Sequence, residues 1–268
     1  MSYESPHYMP RIVSRTADRR AAGACRGLSG NVFVTFFFLD DPKTRWTERQ
    51  VCDYFDRNVH PSVKYLEDHA AQWQIPLKIT VGYYCTGQTD GFTLRWPEVL
   101  SGSFTEDTRG LVRWCVEQTN YDSINALSEY LSSDYDSEHV LYAVVLNKPG
   151  RCCAVSSSRW HTPSEREYML LFNQTSNSTR PEYPCAVAHE MLHQFGAIDL
   201  YFPDDPTEER LGYTKALFPN DIMYRVDPAI DKLQIGAVTA HMIGWLQDLP
   251  ERYGSASWWE EDRRKKQK

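Results

Sequence analysis

The chemistry this sequence can do is concentrated in CAVAHEMLHQFGAIDLY, Cys185 to Tyr201. His189 and His193 stand four apart on a predicted helix, so both imidazoles project from one face and can share a tetrahedral zinc ion. Glu190 lies one step round. There it would accept a proton from water that the ion acidifies and pass it to the leaving amine as a peptide bond breaks. Gly196 can take up the left-handed conformation that stops a helix, which turns the chain so that Asp199 returns as the third ligand. Two imidazoles and a carboxylate leave one position for water, the pattern of a catalytic rather than a structural site. A downstream carboxylate, Glu208 or Glu209, is the alternative third ligand, although Gly196 would then lack its purpose. Tyr201, two residues beyond Asp199, is the first choice of hydrogen-bond donor to a tetrahedral oxyanion; Tyr224, Arg225 and His241 are the others.

The pattern HExxHxFGAxDxY resembles the metzincin-type zinc metalloproteases, in the HExxHxxGxxD branch that carries Asp in place of the third His, as in snapalysin-like and immune-inhibitor-A-like peptidases. The resemblance implies a zinc endopeptidase with Zn2+ as cofactor and a peptide or protein as substrate. It also implies a methionine turn beneath the metal, for which FPNDIMYR (Phe218 to Arg225) supplies Met223. One departure is plain. Astacin-like and serralysin-like enzymes place a metal-facing Tyr two residues after that methionine, where this chain has Arg225, with Tyr224 directly after Met223. Two other functions compete: a zinc-bound, non-proteolytic module that holds a peptide or partner, and a zinc-dependent amidase acting on a non-peptide. Glu190 speaks against the first, because a module that only holds metal needs no base.

Elements that could position these residues are visible in the apolar spacing. NVFVTFFFLDD (Asn31 to Asp41) is dense in β-branched and aromatic residues and predicts a buried strand. Apolar positions three and four apart predict a long amphipathic helix from Trp46 to Trp73, capped by Thr47 and bent near Pro61. LKITVGYY (Leu77 to Tyr84) follows as a strand, so the helix is expected to cross one face of a sheet. Cys85 to Asp136 is mixed and polar, and is read as an insertion with two short helices, around Glu106 to Glu117 and Tyr121 to Leu131. Strands are expected at HVLYAVVLN (His139 to Asn147), CCAVSSS (Cys152 to Ser158) and YMLLFN (Tyr168 to Asn173). A helix from Pro184 to Phe195 is followed by an irregular stretch to Val226 and a last helix from Lys232 to Trp245.

The expected fold is therefore α/β (α+β) and zincin-like: a mixed, mostly parallel twisted sheet with a long helix, an active-site helix, a methionine turn and a C-terminal helix. Residues 1–30 form an arm, 31–247 the catalytic domain and 248–268 a tail. In the class it resembles, an edge strand pairs with an extended substrate, and CCAVSSSRW (Cys152 to Trp160) is the candidate edge.

The 268 residues are 41% hydrophobic and 24% charged, the proportions of an ordinary globular chain. Lys and Arg number 29 against 36 Asp and Glu, and the net charge of -7 argues against a nucleic-acid surface. No apolar run approaches the roughly 20 residues needed to span a bilayer, so no membrane partner is expected. The first thirty residues are charged throughout and lack the apolar centre of a secretory signal, which predicts a cytoplasmic protein. Seven irregularly spaced cysteines without a CxxC pair suit reduced thiols. A switch in which Cys25 blocks the metal would need a local match that ACRGLSG does not supply. The chain is expected to work as a monomer.

Overall fold

The computed structural model describes residues 27–250 and 253, apart from 90, 106–107, 109, 156–166, 177 and 202–207; for 208–211 and 213 it describes the backbone alone. The centre is a five-stranded sheet built from β1 (Gly30–Leu39), β2 (Leu77–Cys85), β3 (His139–Gly150), β4 (Cys153–Val155) and β5 (Tyr168–Thr175), in the order β2-β1-β3-β5-β4. The first four strands in that order are parallel. β4 runs antiparallel to β5 at the edge. The chain is thus α/β with a mixed, mostly parallel sheet.

Why β1 is almost wholly apolar, with Thr35 alone interrupting Val32 to Leu39, follows from its two faces. Val32, Val34, Phe36 and Phe38 point into one core, whereas Phe33, Phe37 and Leu39 point into a second. Such a strand has no solvent side, so polar residues have no place to alternate. β3 divides the same way, with Leu141, Ala143 and Val145 on one face and Tyr142, Val144 and Leu146 on the other.

Helices cover both faces. On the first lie α1 (Glu48–Tyr54) and α2 (His60–Gln72), joined without a break by a π-helical turn at Phe55–Val59. Thr47 and Gln50 close a reciprocal capping box at the start. The expected bend near Pro61 takes this form: Pro61 lies in the first turn of α2, and its ring would clash with the carbonyl four residues back, inside the widened turn. The second face is covered by α3 (Leu111–Gln118) and α4 (Ile124–Asp134), which bury Leu111, Val112, Cys115, Val116, Leu127 and Leu131. The segment expected as an insertion, 85–136, is therefore a full layer of the fold. Its polar composition hid the apolar stripes that a half-buried helix needs only on one side.

Two further expectations need correction. The stretch before Val226 is not irregular throughout, since α6 spans Glu208–Leu217; Gly212 in its middle weakens the sequence signal. The last helix is shorter than Lys232 to Trp245. A 3-10 turn at Ile230–Lys232 and a bridge between Asp221 and Gln234 precede α7 (Ala237–Met242). Among the described residues no helix is long and apolar enough to cross a membrane. Cys25, the arm before residue 27 and nearly all of the tail lie outside the described residues.

β3 ends at Gly150, and a Cβ there would run into the Phe172 ring. Gly150→Ala is expected to lower stability by about 1–3 kcal/mol through overpacking, measured by urea unfolding.

Candidate metal centre and its cleft

The candidate residues sit on α5 (Pro184–Gln194), which starts after Tyr183 with Pro184 in its first turn. Cys185, Val187, Ala188, Met191 and Leu192 are all buried, so the helix runs through the core and takes His189 and Glu190 inside with it. It ends in a Schellman cap. Gly196 has φ +99°, Gly196 N–H donates to the His193 carbonyl at 3.0 Å, and Ala197 N–H donates to the Leu192 carbonyl at 3.1 Å.

This cap returns Asp199 to the helix. Asp199 Oδ1 lies 3.0 Å from His189 Nε2 and 3.3 Å from His193 Nε2, and the two Nε2 atoms are 3.1 Å apart. Each imidazole has its other nitrogen occupied: His189 Nδ1 meets the Ile222 carbonyl at 2.9 Å, and His193 Nδ1 meets the Ala197 carbonyl at 2.8 Å. A carbonyl can only accept, so Nδ1 carries the proton and both Nε2 lone pairs face Asp199. Three electron-rich atoms that close repel unless a cation lies among them. Around a tetrahedral ion with bonds of about 2.0–2.1 Å the ligand atoms stand about 3.3–3.4 Å apart, close to the three separations here. The donor set thus fits a small four-coordinate metal ion held by His189, His193 and Asp199.

Without a metal, a proton does the same work. Burial by itself would lower the His189 pKa, but the Asp199 hydrogen bond and the charges of Glu190 and Asp199 outweigh it and raise the value to about 9. Burial opposes ionisation of Asp199 too, yet its bonds to His189 and His193 hold it well below the usual carboxylate range. Glu190 is 6% exposed, and its Oε2 has no hydrogen-bond partner. Burial raises its pKa, partly offset by the two histidines. A buried carboxyl whose proton affinity is raised beside a cation site is suited to accept and release a proton.

Tyr201 lines the cleft with Glu190. Burial and the Asp199 charge raise its phenol to about 12, so it stays a donor. Its hydroxyl bonds Asp199 and Arg151, and that contact in turn raises the Arg151 pKa. Tyr224 and Arg225 also line the cleft, with Arg225 bound to Asp227 at 2.6 Å. His241 does not: it is buried in α7, with Nδ1 against the Leu246 carbonyl at 3.0 Å. The side chains of Glu208 and Glu209 lie outside the described residues. Of the candidate edge, Cys153–Val155 forms β4 and 156–160 lie outside the described residues.

Met223 is fully buried in the turn at 221–225, where Tyr224 and Arg225 N–H both donate to the Asp221 carbonyl. The turn touches two parts of the centre. Ile222 accepts from His189, and the Met223 carbonyl accepts from Leu200 N–H at 2.8 Å, next to Asp199. Its shape depends on Asp221, a residue that the motif reading missed. The buried carboxylate accepts from Met223 N–H at 2.8 Å, Gly236 N–H at 2.9 Å and Thr239 Oγ1 at 2.9 Å. Burial pushes Asp221 up to about 6 despite those donors. Arg151 was missed as well. Neither residue has a spacing signature, because each reaches the centre from another segment.

No family model matches the chain, and no curated protein matches it.

NMR titration of the metal-free protein should show the His189 ring changing near pH 9, and Asp199→Asn should move that midpoint down. The folded value lies above the ordinary 6.5, so the pair stabilises the metal-free fold fully below pH 6.5 and loses this as pH rises through about 9. Asp221→Ala strips three donors of their acceptor. It is expected to cost several kcal/mol, at about 1–3 per buried unsatisfied group, seen as a lower urea midpoint.

Proposed function

We propose that the chain is a zinc-dependent endopeptidase of the metzincin type, the reading that the sequence pattern suggests. The observation that carries it is the convergence of His189 Nε2, His193 Nε2 and Asp199 Oδ1 with both Nδ1 atoms committed to backbone carbonyls. Also in support are the Met223 turn beneath His189 and the antiparallel edge strand β4 in the sheet whose neighbouring loop lines the cleft.

His189, His193 and Asp199 would hold the ion. When bound, zinc supplies Lewis acidity, lowering the pKa of water and polarising a carbonyl. Glu190 then takes the proton of the attacking water, because its buried carboxylate has an unpartnered oxygen and an affinity for protons raised by burial. It returns that proton to the leaving amine. Tyr201 stays protonated beside Asp199 with Arg151 at its hydroxyl, and would turn its one proton from that carboxylate to the oxyanion. β4 offers main-chain groups on which an extended peptide can align.

Glu190→Gln keeps shape but cannot take a proton. Purified protein of this variant is expected to retain about one zinc per chain by elemental analysis while cleavage of a peptide library falls by about 10²–10⁴-fold. Cleavage at the wild-type rate, or a wild-type protein that carries no zinc and cuts nothing, overturns the reading.

A further inference from the structure

The cleft beside the three candidate ligands encloses about 280 Å³. Tyr183, Ala186, Ile222 and Val226 give it apolar walls, and Glu182 lines the same space. The Glu182 carboxylate has little to hold it there. It accepts from the N–H of its own neighbour Tyr183 at 3.0 Å and lies 3.8 Å from Cys152 Sγ. Among the described residues no Lys or Arg pairs with it. Burial raises its carboxyl above the ordinary value, with the Tyr183 N–H and Cys152 only partly offsetting this and Glu190 adding to it.

A carboxylate drawn out of water without a counter-charge is costly, and Glu182 is met only by the N–H of its neighbour and by one long thiol contact from Cys152. The two arginines that line the cleft have partners of their own, Arg225 in an ion pair with Asp227 and Arg151 at the Tyr201 hydroxyl. What the cleft lacks is one mobile positive charge on an apolar stem. A lysine or arginine side chain has that form: its methylenes can lie on the apolar walls while the charged head reaches the carboxylate.

We propose that Glu182 is a specificity-determining residue and that the cleft takes a cationic side chain, Lys or Arg, of the bound peptide; this rests on the peptidase reading of the neighbouring centre. The test maps cut sites of the zinc-loaded full chain on a proteome-derived peptide library and repeats it with Glu182→Gln. Lys or Arg is expected at one fixed position beside the cut, and the ratio of kcat/KM for peptides with Arg there to peptides with Leu there should fall at least about tenfold in the variant. Cuts without that enrichment, or an enrichment that survives Glu182→Gln, overturn the inference and leave the peptidase reading standing. If nothing is cut, the peptidase reading fails and calorimetry with two probes decides. Tighter binding of argininamide than of leucinamide, lost in Glu182→Gln, supports the cationic subsite; equal binding of the two probes overturns it.

Discussion

The centre depends on two hydrogen bonds that contain no catalytic group: His189 Nδ1 to the Ile222 carbonyl and His193 Nδ1 to the Ala197 carbonyl. Each uses the one proton of a neutral imidazole, so each ring is left with a lone pair at Nε2 and a fixed orientation. Two such nitrogens 3.1 Å apart, with a carboxylate oxygen against both, form an arrangement that a metal cation or a proton stabilises. The two carbonyls come from different segments. One belongs to the helix cap that Gly196 makes, the other to the turn that contains Met223, so the centre is coherent only when α5, its cap and the later turn are packed together.

That packing is what the sheet provides. α5 lies on the same face as α1 and α2, in a core continuous with Val34, Phe36 and Phe38 of β1. The opposite face is sealed by α3 and α4, and a strand buried on both sides is difficult to bend. The Met223 turn is fixed in a different way, by one desolvated carboxylate. Asp221 gathers donors from its own turn, from Gly236 and from Thr239, and so joins the candidate centre to the last helix. A buried carboxyl of this kind is unfavourable unless its donors are all present, which makes the turn all-or-none rather than gradually deformable.

Charge in the cleft is arranged by the same economy. Arg225 is paired with Asp227 and Arg151 is held at the Tyr201 hydroxyl, whereas Glu190 and Glu182 keep oxygens that the fold leaves weakly bonded. Glu190 faces the candidate metal centre. Glu182 has no such neighbour, and its position among apolar walls gives the cleft a polarity that the ligand set alone would not predict.

Much of this was written in the chain itself. Four-residue spacing placed His189 and His193 on one helical face, Gly196 marked where the helix must stop, and the apolar runs of β1, β3 and β5 announced strands. These are local properties: periodicity and backbone preference act over a few residues and need no partner. Tertiary structure alone decided the rest. Ile222 and Ala197 enter through their carbonyls, which every residue possesses, so no side-chain pattern could have singled them out. Asp221, Arg151 and Glu182 look like surface charges until packing buries them or sets them at the cleft, and the segment from Cys85 to Asp136 looks like an insertion until the second face of the sheet is seen to need a cover. Burial and convergence depend on distant segments meeting, and a linear sequence carries that information only through the fold it adopts.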